Sequence, residues 1–108
     1  MRRFDAIVVG AGTAGCMTAK TLAKAGLEIC LIDRKKRDDI GEKVCGDAVG
    51  KHHFDELGLA YPKGDELKSR VEGVKIYSPD LETVFTVKSE HVYGFILNRR
   101  LFGQRLLN

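Results

Sequence analysis

No apolar stretch of this sequence approaches the roughly 20 residues needed to span a bilayer, so nothing in it reads as a transmembrane helix. Met1-Arg2-Arg3 ahead of an apolar stretch has the charge of a secretory leader, but Asp5 interrupts it and the stretch is better used as a strand. Cysteine is scarce and odd in number: Cys16, Cys30 and Cys45, with no C-x-x-C pair. That excludes a disulfide framework and a zinc ribbon, and it implies reduced thiols in a cytoplasmic setting. Charge of one sign is also lacking. The net charge is only +3, and the basic run from Arg34 to Arg37 is answered at once by Asp38 and Asp39, so it reads as a solvated loop and not a nucleic-acid surface. His52 and His53 are adjacent and diverge from one helix, and His91 has no partner nearby, so no metal site is expected. There is no internal repeat. The remaining balance, 44% hydrophobic and 31% charged over 108 residues, suits one globular domain with a modest core.

What is present is concentrated in the first 34 residues. Asp5 to Val9 reads as a short buried strand, and Gly10, Gly12 and Gly15 follow it in G-x-G-x-x-G spacing. A helical segment then runs from about Thr13 toward Gly26, and a second apolar strand, Glu28 to Ile32, stops at Asp33. Each glycine answers a physical need. Gly10 permits a sharp turn, Gly12 lets backbone approach a pyrophosphate, and Gly15 lets the helix lie close on the sheet. The helix start places unpaired N–H groups and the positive dipole end at the phosphates, worth about 0.3 to 2 kcal/mol. Gly15, Ala19, Leu22, Ala23 and Gly26 form the small apolar face that packs on a sheet. Asp33 can accept both hydroxyls of an adenosine ribose. An acid there disfavours a 2'-phosphate, which selects FAD or NAD over NADP.

The chain then becomes polar and irregular to Lys43 and continues Val44-Cys45-Gly46-Asp47-Ala48. Asp47 as N-cap and Gly58 as C' residue predict a helix over Asp47–Leu57, which would put Cys45-Gly46 on a loop at a helix N-terminus, a place suited to an anion or an electron-rich ring. Tyr61 to Asp65 marks a turn. Val71 to Tyr77 and Glu82 to Lys88 read as a hairpin closed by Ser78-Pro79-Asp80-Leu81. Tyr93 to Leu97 is a further strand, and Asn98 caps a last helix whose Leu101, Phe102, Arg105 and Leu106 share a face. Arg99 and Arg100 in its first turn oppose the macrodipole unless an anion compensates them.

With these pieces placed, the chain resembles the geranylgeranyl reductase family, flavoenzymes of the p-hydroxybenzoate hydroxylase-like class. The likeness lies in Asp5 to Gly15, Leu31 to Arg34, Lys43 to Val49, His53 to Gly58, Tyr61 to Gly64, Ile76 to Asp80 and Leu97 to Arg99. The first segment is common to many dinucleotide proteins; the Cys45 motif and the Tyr77-Ser78-Pro79-Asp80 turn carry the family-level signal. The resemblance implies an α/β, Rossmann-type FAD/NAD(P)-binding domain with an inserted helix and β-hairpin, and FAD as its cofactor. Gly10, Gly12, Ala14, Gly15, Asp33 and Arg34 would then hold the adenosine diphosphate part, Gly15 at the pyrophosphate and Asp33 at the ribose. Cys45, Gly46 and Ala48 would lie along the flavin, with Cys45 the one candidate for a catalytic role, and Arg99 near the adenosine and phosphate. Ala48 departs from a glycine common among relatives, and its methyl narrows the approach to the backbone there.

The implied reaction is saturation of isolated double bonds in geranylgeranyl chains of prenyl lipids, with hydride from reduced flavin and the protein supplying alignment and exclusion of water. The resemblance names no electron donor. Family members are several times longer, so it further implies an N-terminal part, incomplete at the C-terminus and inactive alone: residues 1–34 the βαβ unit, 35–97 the loop, helix and hairpin, and 98–108 a helix leading toward a further strand. Any peripheral membrane contact would come from the missing part. The alternatives are another flavin monooxygenase, an NAD-binding oxidoreductase, or an inactive dinucleotide-binding fragment.

Overall fold

The structure is a computed structural model that describes residues 1–89 and 92–108; His91 lies outside them. The chain divides into two compact units, Met1–Val44 with Arg99–Asn108, and Cys45–Asn98. The first unit therefore includes residues 35–44, which the sequence grouped with the insert, together with the C-terminal helix.

In the first unit, β1 (Ala6–Val9) and β2 (Ile29–Ile32) pair in parallel, Ala6 opposite Ile29 through Val9 opposite Ile32. Between them α1 (Thr13–Lys24) makes the crossover that parallel strands require. Asp5 fastens the far end twice: its N–H donates to the Glu28 carbonyl and its carboxylate accepts the Glu28 N–H, both at 2.8 Å. α1 buries Cys16 and Ala19 and stops at Ala25, just before Gly26 at φ +90°. After β2 a polar segment makes one 3-10 turn at Arg37–Asp39 and buries Ile40, which is 6% exposed. The last helix of the chain, α3 (Arg99–Leu107), belongs to this unit and buries Phe102 and Leu106.

The second unit departs from expectation at its start. The predicted helix from Asp47 is shorter: β3 (Ala48–Gly50) comes first and α2 (Lys51–Leu57) follows, with Gly50 and not Asp47 as N-cap. Asp47 stands at φ +63°, in the left-handed region, and Ala48 to Gly50 pair antiparallel with Ile96 to Gly94 of β7 (Gly94–Leu97). Pairing with a strand more than 40 residues away overrides the local capping signal. Cys45-Gly46 therefore precedes a strand and does not sit at a helix N-terminus. The C-terminal half of the expectation holds, since Gly58 ends α2 at φ +64° and returns its N–H to the Asp55 carbonyl.

A strand not expected, β4 (Leu67–Val71), flanks β7 on the other side, completing a three-stranded antiparallel sheet ordered β3-β7-β4 with a register shift between Leu67 and Ser69. The hairpin is present but shorter, β5 (Val74–Tyr77) against β6 (Val84–Val87), because Val71 already belongs to β4. In its turn the Asp80 carboxylate accepts the Ser78 hydroxyl at 2.5 Å and the Glu82 N–H at 3.0 Å. The core of this unit centres on Leu97 and Phe54, 0% and 2% exposed, with Phe54 edge-on to Phe95 at 5.5 Å between centroids. Each such side chain contributes about 1.5 to 3 kcal/mol of burial. Among the described residues no helix is long and apolar enough to cross a membrane, and no cluster of His, Cys, Asp and Glu could hold a metal ion.

Candidate dinucleotide-binding site

The glycine turn between β1 and α1 is held from several sides at once. Gly10, at φ +101°, donates its N–H to the Ile32 carbonyl at 2.7 Å. Ala11, 3% exposed, donates its N–H to Asp33 Oδ2 at 2.7 Å and accepts the Cys16 thiol on its carbonyl at 3.3 Å. Gly15 lies directly against the turn: a Cβ there would fall 1.7 Å from the Gly10 carbonyl oxygen. The N–H of Ala11 is therefore spent on holding the loop, and its carbonyl ties the turn to α1.

The groups left over face outward. α1 has Gly12 as N-cap with no side-chain hydrogen bond to its end, and the Cys16 N–H is the first to bond back, to the Gly12 carbonyl at 2.9 Å. The N–H groups of Thr13, Ala14 and Gly15 are thus the orphan donors of a helix start, carrying its positive end. Gly12 has space where a Cβ would be, nothing lying within 4 Å. These groups border a cavity of about 700 Å³ that Asp33 and Arg99 also line. Arg99 is half-buried, and its guanidinium takes part in no ion pair or hydrogen bond among the described residues. Uncapped donors, a bare glycine cradle and a free half-buried cation suit a diphosphate.

Asp33 is the pivot of the far side. Its second oxygen accepts the Lys35 N–H at 2.8 Å, so the carboxylate joins the glycine turn to the segment after β2. The Lys35 N–H first, then the Ala11 N–H, hold its carboxyl below the usual carboxylate range, with smaller help from the Lys35 and Arg34 charges. A carboxylate offers about four lone-pair sites, so after these two bonds it retains capacity for two ribose hydroxyls. Burial first, then the Asp33 charge, push the Cys16 thiol above its ordinary value.

Of the residues proposed from sequence, Gly10, Gly12, Ala14, Gly15, Asp33 and Arg99 line this one cavity. Arg34 is exposed and does not line it. Cys45, Gly46 and Ala48 belong to the second unit. There Cys45 is an exposed thiol whose sulfur accepts the Asp47 N–H at 3.5 Å, and Ala48 is paired with Ile96. Beyond the glycine turn, six lining residues were not anticipated: Lys35, Ile40, Gly41, Glu42, Lys43 and Gly103. Only the two glycines offered any signal, and neither stands in a motif.

A parallel βαβ unit with a ligand-facing glycine turn and an acid ending its second strand defines a Rossmann-type dinucleotide-binding domain. Comparison with known proteins agrees. A family model described as "Glucose inhibited division protein A" matches residues 5–68, and the chain belongs to that family, which is FAD-binding. The chain is 50% identical over 105 residues to a digeranylgeranylglycerophospholipid reductase of Sulfolobus acidocaldarius, covering 97% of this chain and 23% of the relative. It is 37% identical over 107 residues to the protein of the same name from Methanothrix thermoacetophila, covering 96% and 26%. It is also similar to the crystal structure of a geranylgeranyl bacteriochlorophyll reductase-like protein from Thermoplasma acidophilum, with a TM-score of 0.80, 32% identity, and 96% of this chain matched to 26% of that one. The chain spans about a quarter of the length of these relatives.

Proposed function

We propose that this chain forms the N-terminal, FAD-holding part of a flavin-dependent reductase that saturates geranylgeranyl chains of prenyl lipids. The observation that carries the cofactor is the meeting of uncapped α1 donors, the Gly12 cradle, Asp33 and Arg99 in one cavity. In this reading the α1 N–H groups and Arg99 hold the diphosphate, Asp33 orients the adenosine ribose, and Gly10 and Gly15 keep the turn in place. Cys45, Gly46 and Ala48 serve the flavin side, a role that rests on the family resemblance. The bound flavin would supply hydride to an unactivated double bond; the chain's own share is to bind and orient it. The prenyl-lipid substrate follows from the names of relatives that share up to half their residues with the matched region. Turnover needs the remaining length those relatives have, and the setting is cytoplasmic, with any contact to a lipid surface made by that further part.

The test is an absorbance spectrum of the purified protein, with titration of FAD, ADP and NAD. A yellow protein, or one reconstituted by FAD and competed by ADP, supports the assignment. A colourless protein that refuses FAD and takes NAD refutes it.

A further inference from the structure

The cavity has a second wall, and nothing in the glycine fingerprint builds it. The segment from Lys35 to Lys43 crosses α3 so closely that a Cβ on Gly103 would fall 2.3 Å from Gly41 Cα, and one on Gly41 would fall 2.8 Å from the Arg99 carbonyl. The hydrogen bonds within this segment's backbone stay local, Asp39 to Lys36, Ile40 to Arg37 and Glu42 to Asp39. Side chains tie it to the helix. The Gln104 amide donates both its N–H groups to it, to the Arg37 carbonyl at 2.6 Å and the Ile40 carbonyl at 2.9 Å. Arg100 Nε adds one bond to the Asp38 carbonyl at 2.9 Å, and the Arg37 guanidinium reaches Asn108 Oδ1 at 2.5 Å.

The same segment is linked onward to the site. Lys35 Nζ donates to the Glu42 carbonyl at 2.5 Å, while the Lys35 N–H donates to Asp33 and Asp33 in turn accepts Ala11. A continuous polar route therefore runs from Gln104 through the segment to Asp33 and the glycine turn. We infer that Gln104 is a positioning residue of the dinucleotide site: it seats the 35–43 segment on α3 as the second wall of the cavity and so sets Asp33 and Lys35 for the adenosine end. Neutral glutamine suits the task because its two donors meet two carbonyls. An isosteric glutamate would set a carboxylate against both.

This inference rests on the dinucleotide reading, and the experiment separates the two. ADP is the probe, measured on the full chain by calorimetric titration and by trypsin cleavage, for which Lys35, Lys36, Arg37 and Lys43 supply sites within the segment. In the unaltered protein ADP slows cleavage of the segment. Gln104→Glu weakens ADP binding by about 10-fold, as expected when a preorganised wall is loosened, and abolishes that protection. The neutral isostere Gln104→Met gives the same pattern without an added charge, which guards against misfolding of the glutamate variant. Should the unaltered protein bind ADP with no change in cleavage of the segment, or should a folded variant bind ADP as tightly as the original while only its melting temperature falls, the positioning role is overturned. If the unaltered protein binds neither FAD nor ADP, the failure lies in the dinucleotide reading itself.

Discussion

Replacing Gly12 and Gly15 separately by alanine should divide binding from folding. At Gly12 the backbone is ordinary, φ −75°, and an added methyl meets nothing within 4 Å. Alanine is a poorer N-cap than glycine by about 0.5 kcal/mol, and the gain from a less flexible unfolded chain, about 0.4 to 1 kcal/mol, offsets it. Gly12→Ala should therefore melt like the original protein. Its methyl projects into the cavity where the diphosphate would meet the α1 N–H groups, and ADP affinity should fall about 10- to 100-fold, about 1.4 to 2.7 kcal/mol. Gly15→Ala is the opposite case. Its methyl must move the Gly10 carbonyl oxygen from 1.7 Å to at least 3.0 Å away, and Gly10 also bonds Ile32, next to the Ala11 bond to Asp33. Overpacking of this kind costs about 1 to 3 kcal/mol, and at 2 kcal/mol the melting temperature falls by about 10 °C. The assay is differential scanning calorimetry beside ADP titration for both variants. ADP affinity unchanged in Gly12→Ala would show that no phosphate approaches that backbone, and an unshifted melt in Gly15→Ala would refute the close-packing reasoning.

Three more outcomes follow from the same structure. Because Asp33 titrates below its ordinary value of 3.8, the unfolded chain binds the extra proton first as pH falls; the contribution of Asp33 to stability is complete above that value and disappears as pH drops through the lower folded value. Melting curves across that range should show a shallower acid limb for Asp33→Asn than for the original protein, and superimposable limbs would contradict the assignment. Phe54→Ala should destabilise the second unit by about 3 to 5 kcal/mol in denaturant unfolding, since the side chain is 2% exposed and packs on Phe95. In the longer protein, Cys45→Ala should alter flavin reduction more than Cys30→Ala does; equal and negligible effects in folded proteins would remove Cys45 from the flavin site.

Local chemistry determined the part of this protein that is legible in its sequence. Gly10, Gly12, Gly15 and Asp33 could be assigned because each answers a need met within the βαβ unit itself: a turn at positive φ, an open approach, a close packing and an acid at a strand end. The turn at Ser78 to Leu81 and the stop at Gly58 were legible for the same reason. Tertiary structure decided the rest. Asp47 carries a good capping side chain, yet β7 claims Ala48 to Gly50, and the pairing energy of a strand distant in sequence outweighs a cap worth about 1 kcal/mol. Leu67 to Val71, with Lys68 and Arg70 inside it, has too little apolar alternation to read as a strand until β7 lies beside it. The second wall is likewise invisible locally. Gln104 has no motif, and its amide acquires a task only because Gly41 and Gly103 let two segments 62 residues apart touch backbone to backbone.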